Sequence, residues 1–112
     1  MFDLILSLLR NRYKGFDLIT REKRGDVLVI EKRFNNSAGY IFLAYKETLD
    51  MYIFKDLYRS YVEFVNKASR GMFKEVELIV AYKDASGDVE TTVEAYNDAH
   101  SERKPIQLMR VP

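Results

Sequence analysis

The sequence contains no cysteine. That excludes a disulfide framework, a thiol nucleophile and any Cys-ligated zinc or iron–sulfur centre, and it leaves cytoplasmic residence as the default expectation. Histidine occurs once, as His100, in a polar stretch beside Ser101 and Glu102. A Ser-His-Asp triad or a multi-histidine metal site therefore lacks its parts, and His100 reads as a solvated side chain. The five glycines are scattered and none falls in a Walker or dinucleotide-binding pattern, which excludes nucleotide hydrolysis by those folds. Charge of one sign is missing too. The 18 Lys and Arg against 17 Asp and Glu leave +1, so any nucleic-acid binding has to come from a local patch. The first apolar run, Leu4 to Leu9, has no basic residue before it and no small-residue cleavage site after it. About ten apolar-rich residues fall short of the ~20 that span a bilayer, so no membrane partner is expected.

What is present suits one folded domain. The chain has 112 residues, 47% hydrophobic and 31% charged, with Tyr 8 and Phe 7 supplying aromatic bulk, which excludes a disordered or collagen-like chain. Phe2, Ile5, Leu6, Leu9 and Tyr13 recur at helical spacing, Asp3 suits the positive end of a helix dipole, and Gly15 offers a stop. From Phe16 the period becomes two, and after Arg24-Gly25-Asp26 the β-branched run Val27 to Phe34 gives a second strand. Asn35-Asn36-Ser37-Ala38-Gly39 is turn chemistry, and Tyr40 to Lys46 resumes as a third strand of a meander. Phe54, Leu57, Tyr58, Tyr61, Val62, Val65 and Ala68 share one helical face, so a second helix is predicted, ending near Ser69-Arg70-Gly71. Glu75 to Tyr82 reads as a fourth strand, Asp84 to Asp88 as a turn, and Val89 to Tyr96 as a fifth strand. The expectation is a single α/β domain over residues 1–97, ordered α-β-β-β-α-β-β, with helices flanking a mixed sheet and a polar tail over 98–112. The long link through the second helix should make the third and fourth strands parallel neighbours.

Chemistry is confined to carboxylates and lysines at strand ends. Asp26 opens the second strand and Lys46 closes the third, so the two can meet and hold a divalent cation against a phosphodiester; the alternative is a plain surface ion pair. Residues Arg10 to Arg33 carry a concentration of basic side chains while Glu90, Glu94, Asp98 and Glu102 make the end acidic. That asymmetry suits a phosphate-binding face, and equally mixed charges that solvate exposed strands. The aromatics Tyr52, Tyr58, Tyr61 and Phe64 read as core or as a dimer seam before a base-stacking platform.

From Asp3 to Asp84 the chain resembles the archaeal-type Holliday junction resolvases of the PD-(D/E)XK nuclease superfamily. The matching segments are Asp3 followed by Gly15-Phe16, then Gly25-Asp26-Val27-Leu28-Val29-Ile30, then Tyr40-Ile41-Phe42-Leu43-Ala44-Tyr45-Lys46, and the Lys-terminated strand Val76 to Lys83. The resemblance implies a restriction-endonuclease-like fold and a homodimer that binds duplex or branched DNA and cuts it with Mg²⁺. It implies catalytic roles for Asp26, Lys46 and Asp3, with Asp26 a metal ligand. Arg21, Lys23 and Arg24, placed beside that site, are the expected DNA contacts. Two departures stand out. Gly25 replaces a frequent proline, and Ala44 occupies the place of the family's metal-binding glutamate. Either the site is inactive, naturally or by mutation, or a nearby acid such as Glu47 or Glu31 supplies the second ligand. The competing expectation is a non-enzymatic interaction module, such as a viral or mobile-element accessory protein, holding a partner through its aromatic helix and tail.

Overall fold

Two left-handed residues organise the first half of the chain. Gly25 and Asn35 both have φ +54°, and each begins a two-residue turn, joining Arg24 to Val27 and Phe34 to Ser37 across paired strands. Glycine and asparagine are the residues that tolerate this conformation. The computed structural model describes residues 1–112, and it shows the antiparallel meander β1 (Asp17–Arg24), β2 (Val27–Phe34) and β3 (Ser37–Leu49). Before the meander runs α1 (Phe2–Arg12), with Asp3 in its first turn and Arg10 and Arg12 in its last. That charge order suits the helix dipole.

β3 hands the chain to α2 (Met51–Ser69) through Asp50, whose carboxylate accepts the Ile53 N–H at 2.8 Å. Such a cap contributes about 1 kcal/mol. Arg70 (φ 53°) and Gly71 (φ 82°) end the helix, and a single 3₁₀ turn, Phe73–Glu75, leads into β4 (Val76–Ala85). β4 lies parallel to β3, in register from Tyr40 opposite Val76 to Leu49 opposite Ala85. The expected adjacency of these strands, and the helix between them, are observed. Gly39 suits the close approach here, because a Cβ on it would stand 3.2 Å from the Glu75 carbonyl oxygen, a tight contact.

The last quarter differs from expectation. Val89 to Tyr96 is not a strand but part of α3 (Gly87–Ala99), and the fifth strand β5 (Gln107–Arg110) comes from the segment expected to be a tail. The β-branched residues of Val89-Glu90-Thr91-Thr92-Val93 imitate a strand, yet Val89, Val93 and Tyr96 are spaced for a helix, and the two valines are buried. Asp88 and Glu90 in the first turn favour the helix as well. β5 pairs parallel to β4, and Ile106, Met109 and Val111 are buried around it. The sheet order is β1-β2-β3-β4-β5.

Alternation along the strands sends residues to two cores. Val29, Phe42, Ala44, Leu78 and Val80 pack with Phe54, Leu57, Tyr61 and Val65 of α2 and with Val89 and Val93 of α3. Leu28, Ile30, Ile41, Leu43, Ile79 and Met109 meet Ile5 and Leu9 of α1 on the other face. Each such aliphatic side chain contributes about 2 kcal/mol by leaving water. The aromatic side of α2 is therefore turned inward, with the Tyr61 hydroxyl donating to the Val76 carbonyl at 2.8 Å and only Tyr52 widely exposed. α3 is tied to α2 by Tyr58 and Tyr96, whose hydroxyls lie 2.6 Å apart, while Arg103 donates to Tyr96 at 2.7 Å. Burial and the neighbouring Tyr96 push the Tyr58 phenol up to about 12. His100 lies with its ring 4.5 Å from that of Tyr96 and 3.4 Å from a Glu102 carboxylate oxygen. No helix is long and apolar enough to cross a membrane.

Candidate functional site

All three parallel strands run the same way, so the carboxyl ends of β3, β4 and β5 and the amino ends of α2 and α3 share one end of the sheet with the β1–β2 turn. In open α/β sheets ligands bind outside that end. The local chain geometry delivers two of the anticipated residues there. The left-handed Gly25 reverses the backbone, the Asp26 carbonyl accepts the Tyr45 N–H at 2.9 Å, and the turn is thereby fastened to β3 one residue before Lys46. Asp26 Oδ2 and Lys46 Nζ are 2.6 Å apart. The lysine side chain keeps 31% of its surface and the aspartate 59%, so the pair is open to an incoming ligand and its intrinsic stabilisation is about 0–1 kcal/mol.

Lys46 lies at the head of a cleft of about 460 Å³ against Ile53, Asp56, Leu57 and Arg59 of α2. A second cleft of about 480 Å³ is floored by Val27, Val29, Phe42 and Phe64 and edged by Glu22, Arg24 and Lys67. Ser60 and Glu63 line both, so the two form one trough along α2. Sequence reasoning missed this polar ridge. Ser60, Glu63 and Lys67 at i, i+3 and i+7 beside the apolar stripe were its available signal.

The remaining site residues do not gather at the pair. Ala44 is completely buried, paired with Val27 on one side and Val80 on the other, and its methyl group belongs to the α2-side core. Glu47, next to Lys46, is exposed, and strand alternation turns it from the face that Ala44 and Lys46 share. Asp3 is exposed on α1, on the opposite side of the sheet from α2. Glu31 is held between Arg21 at 2.6 Å and Arg33, and hydrogen bonds from Arg33 and then Arg21 keep its carboxyl below the usual carboxylate range. Nowhere do three carboxylate or imidazole groups converge as metal ligands. A hard divalent ion wants several oxygen donors, and a lone Asp26 already bonded to an ammonium does not fit it. The basic trio separates in the same way: Arg21 is bound to Glu31, Arg24 to Glu22 at 2.6 Å, and Lys23 sits 5.7 Å over the Phe2 ring of α1.

A mixed five-stranded sheet in this order, flanked by helices, is an α/β fold of the restriction-endonuclease-like type. Two solved structures share it. The chain superposes on a repair endonuclease from Pyrococcus abyssi with TM-score 0.62, at 18% identity over 99% of its own length. It superposes on EndoMS in its apo form with TM-score 0.58, at 16% identity over 97%. The chain spans 45% of each of those two chains. No known family profile matches the sequence, and neither does any curated protein.

Proposed function

We propose that the chain binds duplex or branched DNA at the Asp26–Lys46 end of its sheet and does not cut it. The observation that carries this reading is the 2.6 Å pair on a nuclease fold whose next β3 position towards the core is a buried alanine. Of the cations at the trough, Lys46 and Arg24 come from the sheet end, and each is held by a carboxylate that a phosphate has to displace. Phosphate contacts of that kind give binding that weakens steeply with salt. The reading takes the chain as a homodimer, with exposed Met1 and the exposed Leu4 and Leu8 of α1 as its seam, because the aromatic face of α2 is turned inward. A second reading, the non-enzymatic interaction module, is favoured by the apolar trough floor of Val27, Val29, Phe42 and Phe64.

Fluorescence anisotropy on duplex and four-way-junction DNA, with cleavage followed in the same samples under Mg²⁺ and Mn²⁺, separates these readings. Expected are binding at low salt, loss of affinity with added salt, about tenfold weakening in Lys46→Ala with Arg24→Ala, and intact substrate throughout. Cleavage that disappears in Asp26→Ala refutes the loss of catalysis. Absence of binding at the lowest salt refutes the DNA reading and puts the interaction module in its place.

A further inference from the structure

The opposite end of the sheet, where β4 begins, holds a group of lysines that the trough does not use. Lys32 is the anchor. Its side chain is 89% enclosed (11% exposed), its ammonium lies 3.1 Å from Glu77 Oε2, and it stands over the rings of Tyr13 at 4.7 Å and Phe16 at 5.1 Å. Glu77 is shared, because it also accepts the Tyr13 hydroxyl at 2.9 Å and the Gln107 side-chain amide at 3.0 Å. Lys32 borders a cleft of about 240 Å³ together with Lys74, Lys104, Ser37 and the backbone at Gly39. Glu75 is the one carboxylate on its wall, exposed. Lys32 is paired with Glu77, but no ion pair reaches Lys74 or Lys104.

We infer that this cleft is a phosphate-binding site, in which Lys32, Lys74 and Lys104 converge on one phosphoryl group. Glu77 compensates Lys32, but Lys74 and Lys104 share the concavity with one exposed carboxylate and have no ion-pair partner, and a tetrahedral anion with several acceptor oxygens is what satisfies the spare N–H donors of all three. Lys104 holds its proton less tightly mainly because burial desolvates it; Glu77 offsets part of this, and repulsion from the adjacent Lys32 ammonium adds to it. Lys32 cannot swing away to relieve that repulsion, being held by Glu77 and two rings. An anion in the cleft relieves it instead. The phosphoryl group has two sources, a nucleic-acid backbone or a small phosphorylated molecule. The site does not depend on the DNA reading, since inorganic phosphate alone probes it.

The test is thermal unfolding and isothermal titration with inorganic phosphate at pH 7, against sodium chloride of equal ionic strength. The wild-type chain should gain stability in phosphate beyond that in chloride, and Lys104→Met and Lys74→Gln should each weaken phosphate binding about tenfold. Without phosphate, Lys104→Met should unfold at the same temperature or higher, because it removes a desolvated charge that no ion pair holds; this distinguishes a lost ligand from a damaged fold. Displacement of phosphate by a short DNA duplex assigns the site to a backbone, and displacement only by a mononucleotide assigns it to a small ligand. Equal stabilisation by phosphate and chloride overturns the proposal, as does phosphate binding that both variants retain.

Discussion

Ala44 carries the largest consequence of any single residue. Fully buried between Val27 and Val80, it leaves no room for the glutamate that the resemblance puts there. The two-residue repeat gives Ala44 and Lys46 the same face, so a glutamate would share that face with Lys46, but it would have to displace core atoms first. Overpacking alone costs about 1–3 kcal/mol, and a carboxylate without enough partners adds to that. Ala44→Glu should therefore lower the urea midpoint markedly, and any nuclease activity it gains should vanish on adding Asp26→Ala. Glu31 gives a second expectation. Its folded pKa is depressed by Arg33 and Arg21, so its stabilisation is complete above the unfolded value of about 4.3 and is lost as the pH falls through the lower, folded value. Glu31→Gln should flatten the acid side of the stability profile, read as urea midpoints between about pH 5 and pH 2. A wild-type and a variant profile that run parallel would refute the assignment.

At the scale of elements, legibility followed the strength of the local pattern. The meander was legible because its turns carry Gly25 and Asn35 at the positions that need positive φ. α2 was legible because Phe54, Leu57, Tyr61 and Val65 repeat at helical spacing over about three turns. α3 was not, since only Val89 and Val93 are buried in it and threonines lie between them. β5 was hidden by its length: Gln107–Arg110 is four residues, and polar Gln107 and Arg110 frame it. Its burial comes from β4 and α1, which no local window contains. The expected consequence is that residues 98–112, polar though they are, are structural. Ile106→Ala should destabilise by about 2–4 kcal/mol, measured by chemical unfolding, whereas a free tail would tolerate it within about 0.5 kcal/mol.

For the whole molecule, the site was legible only as a pair. Asp26 and Lys46 meet because β2 and β3 are hairpin neighbours, a relation that the turn between them announces. The trough and the lysine cleft were not legible, since each joins segments far apart in the chain: Arg24 with Lys67, Lys32 with Lys74 and Lys104. The basic bias of the first third also dissolved in three dimensions. Arg21, Arg24, Lys32 and Arg33 are each paired with a carboxylate, so counting charges along the chain overstated the field they project.

The contact between the two extremes of the described chain has its own consequence. Arg12 donates to the Gln107 side chain, Tyr13 shares Glu77 with it, and Ile5 and Leu9 pack in one cluster with Met109 and Val111. During synthesis α1 is made 95 residues ahead of part of the surface it docks on. Loop closure over 95 residues has to precede that docking, and such long-range closure is slow. The meander and α2 can be in place on the nascent chain while the amphipathic α1 still waits, its apolar side uncovered, and the moment of greatest risk of misassociation falls before β5 joins the sheet.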